Sequence, residues 1–129
     1  MNDELAKHTG PRPVVTGFML VRALPAWREL DFGHQLVLLE RHIEPLLRRC
    51  HPEVRLLMYD VEQAMSVATD IWVWEASDRD AYDNMLADLR ATPFWGRYFE
   101  VLDVLHGARG DAIFQLNRCK FVTGVPVMA

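Results

Sequence analysis

The feature that most constrains this chain is the order in which its hydrophobic period changes between residues 14 and 107. "VVTGFMLVRAL" is rich in β-formers and reads as a first strand, in which Gly17 weakens the local propensity and points to a bulge or a close backbone approach. From Asp31 the period lengthens. Phe32, Leu36, Leu39, Ile43 and Leu46 recur at three- and four-residue steps, with Glu40, Arg41, Glu44 and Arg48 between them, which is the pattern of an amphipathic helix. Pro45 removes one backbone donor inside that pattern, so the spacing predicts a kink near Arg41 or a second helix starting at Pro45. "VRLLMYDVE" and "SVATDIWVWEAS" read as two further strands, joined through "QAM" in a loose hairpin. Ser77 and Asp80 have the spacing of a capping box ahead of a second helix, whose buried stripe is Tyr82, Met85, Leu86 and Leu89. "YFEVLDVLH" is a fourth strand, and "IFQL" or "KFVTGVPV" offers a fifth.

The order β-α-β-β-α-β predicts an α+β, ferredoxin-like domain, with one antiparallel sheet and both helices on one face. Its boundaries are expected at 14-107, with residues 1-13 as a flexible lead-in and 108-129 as a C-terminal extension. A chain of 129 residues fits one core. Alternation in the third strand separates Ile71 and Val73 from Asp70, Trp72 and Trp74, so both faces of the sheet carry apolar groups. A bare apolar face is uncommon on a monomer. The expected solution is a homodimer, a dimeric α+β barrel in which two sheets face each other around a cavity.

A net charge of -4 gives no electrostatic footprint for nucleic acid or for an anionic membrane, and neither is expected as a partner. No apolar run is long enough to span a bilayer, and the start "MNDELAKHTGPRP" has no signal core, so a cytoplasmic protein is expected. Cys50 and Cys119 lack a CxxC partner and read as reduced thiols. No metal is expected, because His34, His42 and His51 have no spacing that gathers three ligands. No cofactor is expected either: nucleotide-binding glycine motifs are absent, and haem would have only His106 or His51 as an axial ligand.

The stretches "FMLVRALPAW", "PLLRRCHPEVRLLMYDVE", "DIWVWE" and "TPFWGRYFEVLDVL" together resemble the darcynin family, small bacterial proteins grouped with the dimeric α+β barrels. The resemblance spans roughly residues 14 to 106, and the TPFWxxYFEV run is its most specific piece. The chain departs from it at "LDFGHQ" and after Gly107. The resemblance implies a fold rather than an activity. The wider superfamily implies small-molecule chemistry inside the barrel, including cofactor-free oxygenases, lactone isomerases, polyketide cyclases and haem-binding enzymes.

Trp72, Trp74 and Tyr59 are expected on or near the barrel interior, forming an apolar pocket for a small hydrophobic or aromatic ligand. Asp70 is expected on the same strand face, where desolvation would tune it toward a general base. His106, at the end of the fourth strand, is the second proton-transfer candidate. Arg22, in phase with Phe18 and Leu20, is placed to hold a ligand carboxylate or enolate, or else to form a salt bridge. Trp95 and Tyr98, in the ring-rich run "ATPFWGRYFE", would form an end wall of the cavity while plugging the barrel end. Two functions follow. One is a tailoring enzyme acting by proton abstraction on an aromatic or polyketide-like metabolite; the other is a binding or dimerisation protein in which the same residues hold a ligand or pack an interface.

Overall fold

A computed structural model of the chain describes residues 13-63, 67-108, 113-115 and 120-122. Strand β1 (Val15–Ala23) is followed by a single turn α1 (Pro25–Arg28), then α2 (Phe32–Leu38), a π-helical segment Leu39–Ile43, and α3 (Glu44–Arg49). Strands β2 (Val54–Asp60) and β3 (Asp70–Ala76), helix α4 (Arg79–Arg90) and strand β4 (Phe99–Gly107) complete the domain. The sheet order is β2-β3-β1-β4 with every neighbour antiparallel, so β3 lies between the strands that α2 and α3 connect. This is the ferredoxin-like arrangement. No helix among the described residues is long and apolar enough to cross a membrane.

The local devices follow from the residues. Asp31 caps α2 by accepting from the His34 amide at 2.8 Å. The amide that Pro45 lacks would have bonded the Arg41 carbonyl, and there the helix widens into its π segment before α3 resumes with Pro45 in its first turn. The cap of α4 is Asp78, which accepts from the Ala81 amide at 3.0 Å, rather than the expected Ser77–Asp80 box. The Ser77 amide instead bonds the Glu53 carbonyl. Of the expected "QAM" connection, all but Gln63 lies outside the described residues. Both fifth-strand candidates contribute to a separate hairpin, β5 (Ile113–Gln115) against β6 (Lys120–Val122).

The core lies between the helices and one face of the sheet. Met19 and Val21 of β1, Trp72 and Trp74 of β3, and Phe99 of β4 meet Ile43, Leu46, Tyr82, Met85 and Leu89 from the helical side. The ring-rich run closes one end of this layer. Phe94 is fully buried, edge-on to Trp27 at 5.2 Å and stacked with Phe99 at 6.0 Å, while Phe99 meets Trp72 at 4.8 Å. Thr92 holds the turn by donating to the Leu89 carbonyl and accepting from the Phe94 amide. Gly96 has φ +103°, a conformation L side chains rarely adopt, and its amide reaches the Phe99 carbonyl at 2.8 Å.

Candidate functional site

Strand register assigns every sheet residue to a covered or an open face. Because Met19 and Val21 are fully buried under the helices, their neighbours Phe18, Leu20 and Arg22 occupy the open side. One row of that side runs Leu57, Val73, Phe18, Leu105 across the four strands; the next runs Tyr59, Ile71, Leu20, Asp103. Phe18, Tyr59 and Leu105 keep 40%, 51% and 52% of their surface exposed. Charged residues flank the field. Arg22 lies opposite Glu100 and is ion-paired with it, as the salt-bridge alternative for Arg22 anticipated. Arg55 lies opposite Glu75 and is ion-paired in the same way. A register shift between Leu20 and Val21 accommodates one extra residue in β4, a bulge on an edge strand.

The expected strand phase of β3 is reversed by the structure. Trp72 and Trp74 lie under the helices, 2% and 0% exposed, while Ile71 and Val73 face the open side. The indoles are drawn to the covered face because α1 and the turn before β4 bring Trp27, Phe94 and Phe99 there. Tyr59 is therefore separated from the two tryptophans, across the sheet. The Trp74 indole N–H is buried and has no hydrogen-bond acceptor among its described neighbours.

Asp70 shares the covered face with the tryptophans, at the strand end, opposite Asp60 on β2. Burial pushes its carboxyl above the ordinary range; Asp60 and Glu62 add to this, while the Thr69 hydroxyl, donating at 2.6 Å, and Arg28 oppose it. A carboxyl with a raised folded-state pKa binds its proton more tightly in the native state than in the unfolded chain. Its contribution to stability is then fullest when protonated and declines as pH rises from the unfolded value through the folded one. Asp70→Asn is accordingly expected to be more stable than the parent at neutral pH, with the gap closing below about pH 4. Urea midpoints measured across pH check this, and a gap independent of pH would assign the effect to shape instead.

His106 occupies the covered side of edge strand β4, in one row with Gly17, Trp74 and Leu56. Its Nε2 is 2.8 Å from the hydroxyl of Tyr82, which rises from α4 and whose phenol is pushed above its usual pKa by burial. Gly17 is what lets the hydroxyl reach the sheet: a Cβ there would lie 2.2 Å from the Tyr82 oxygen. The close backbone approach expected at Gly17 is thus a tyrosine hydroxyl. The sequence reading placed Tyr82 in a buried stripe and missed this pairing, although the glycine was its signal.

Trp95 and Tyr98 sit half-buried at the rim of the aromatic plug, with Arg90 over the indole at 5.1 Å and Arg97 over the phenol at 5.6 Å. Asp70 and His106 share the covered face but not a site: their partners on β1, Val21 and Gly17, are four residues apart, about 13 Å along a strand. Among the described residues no three His, Cys, Asp or Glu side chains gather as metal ligands.

Comparison with known proteins agrees with this fold. Residues 2–119 match the family model described as "Darcynin, domain of unknown function". Relatives named darcynin homolog occur in Granulibacter bethesdensis, 40% identical over 95 residues covering 74% of this chain and 77% of the relative, and in Streptomyces avermitilis, 42% identical with coverages of 74% and 78%. Among solved structures, a heme-binding protein from Thermus thermophilus superposes with a TM-score of 0.64 at 16% identity, covering 76% of this chain and 40% of that one. A dimeric chlorite dismutase from Nitrobacter winogradskyi gives 0.62 at 20% identity, with coverages of 76% and 59%. A mutant chlorite dismutase from Candidatus Nitrospira defluvii gives 0.61 at 15%, with coverages of 78% and 42%. The chain spans less than two thirds of each of these structures, and at such identities the likeness is one of fold.

Proposed function

The chain belongs to the darcynin family, and from that footing we propose that it binds a hydrophobic small molecule on the open face of its sheet, closed over by the same face of a second copy. The observation that carries this reading is the continuous apolar field of Leu57, Val73, Phe18 and Leu105 beside Tyr59, Ile71 and Leu20, which the helices leave bare. Contiguous apolar patches beyond a few hundred Å² commonly mark interaction sites. A sheet face opposed to its own copy is self-complementary by symmetry, and two such faces held apart by Phe18 and Tyr59 enclose an apolar chamber with few polar tips. The dimeric neighbour from Nitrobacter winogradskyi supports the pairing.

Binding is favoured over turnover by proton abstraction. Asp70 and His106 both stand on the covered side, and among the described residues the open face presents no nucleophile with a base and an orienting group. One neighbour is a heme-binding protein, but the described residues offer no haem ligand on the open face. No described histidine lies on the open face; on the covered side His106 is exposed at the sheet edge, and its Nε2 is engaged by the Tyr82 hydroxyl. His51 sits exposed in the turn before β2.

Phe18→Asp tests the reading. Phe18 is 40% exposed, so the fold is expected to survive. The variant should be monomeric by sedimentation and should lose binding of the neutral apolar dye Nile red, because a charge would be buried unpaired between the two faces. A dimer that still binds the dye would remove the open face as the site.

A further inference from the structure

We propose that the ligand of this face carries a cationic or hydrogen-bond-donating nitrogen on its apolar body, an arylalkylamine in its simplest form, and that Asp103 anchors it. The inference rests on reading the open face as a ligand site. It comes from the charges of that face. Both arginines there are matched by a carboxylate directly across the strands, Arg22 by Glu100 and Arg55 by Glu75, so neither brings net positive charge to a ligand. A ligand carboxylate at Arg22, the role anticipated for it, would have to displace Glu100.

Asp103 is the carboxylate left over. It lies opposite Leu20, in the row that continues through Ile71 to Tyr59, next to the row of Phe18 and Leu105. Its Oδ1 accepts from the Val104 amide at 2.8 Å, which holds the carboxylate in place and leaves Oδ2 open; among the described residues no cation pairs with it. Exposed, such a group is solvated at little cost. Facing a chamber that still holds water it stays solvated, but an apolar ligand body that fills the chamber displaces that water, and the carboxylate then needs a donor, which a protonated amine supplies through a charge-assisted hydrogen bond. A ligand with an anionic head meets repulsion at the same place.

The test uses a matched pair of probes at pH 7, 2-(1-naphthyl)ethylamine and 1-naphthylacetate, titrated calorimetrically into the full chain, with Nile red as the uncharged control. The amine is expected to bind about tenfold more tightly than the acid, with NMR shifts centred on Leu20, Phe18 and Leu105. Asp103→Asn should bring the two probes to equal affinity, and Asp103→Lys should turn the preference toward the acid. Equal affinities in the parent protein, or an amine preference that survives Asp103→Asn, would overturn the assignment while leaving the apolar site standing. If Nile red itself fails to bind the parent, the site and this inference fall together.

Discussion

Trp72→Ala is expected to lower the free energy of unfolding by about 3–5 kcal/mol, the range for emptying a fully buried aromatic position. Trp72 is 2% exposed and touches both Phe94 and Phe99, so its removal opens a void that the rigid sheet can collapse into only in part. Trp72→Asp should leave no folded protein, because the carboxylate would stand without a counter-charge inside the layer. The comparison that gives the result its meaning is Val73→Ala, one residue along on the open face. Its cost should be much smaller, since Val73 is only partly buried in the protomer. Chemical denaturation of the three variants, followed by far-ultraviolet circular dichroism, checks the order. Near-equal losses for Trp72→Ala and Val73→Ala would mean that the helices do not cover the face assigned to them.

The second large effect is expected at Gly17. A methyl group there would meet the Tyr82 oxygen at 2.2 Å and the ring carbon bearing it at 3.0 Å, so Gly17→Ala must push α4 away from the sheet or break the bond to His106. A loss of about 1–3 kcal/mol is expected, as for other overpacked cores. Tyr82→Phe by itself removes the hydroxyl that reaches His106. In the double variant the two losses should not add: without the oxygen, the added methyl faces a contact that a small ring shift relieves, so Gly17→Ala should cost markedly less in the Tyr82→Phe background. A double-mutant cycle from urea midpoints reads this directly. Strict additivity would mean that the glycine serves some purpose other than admitting the tyrosine.

Much of the fold was legible because its signals are local. The helical spacing from Phe32 to Leu46, of which only Ile43 and Leu46 are buried while Phe32 and Leu36 are exposed, and the alternation through Ile71, Trp72, Val73 and Trp74 depend on residues within one or two turns of each other. So does the effect of Pro45, whose missing donor acts four residues upstream, where the π segment lies. The ring-rich run was legible as packing, since its rings had to be buried somewhere, but its Phe94 and Phe99 pack against Trp27 and Trp72 in the helix-covered core rather than at the end of a barrel between two sheets. The cap of α4 was misplaced by one residue, because Ser77 and Asp78 are both competent caps and the choice between them was made by the bond from the Ser77 amide to Glu53, across a loop.

The candidate site was less legible, for a different reason. A period of two separates the residues of β3 into two sets but says nothing about which set the helices cover, and here both sets are apolar. Bringing Tyr82 to His106 likewise required α4 to lie over β1 at its glycine, a relation between three separate elements. The sequence by itself determined the elements, their order and the sheet they build, because hydrophobic period and turn chemistry act between near neighbours. Only the tertiary structure decided which face of that sheet is core and which is bare, because that depends on where the crossing helices pack their rings. With that choice Trp72 and Trp74 became core, and Phe18, Tyr59 and Asp103 took the open face.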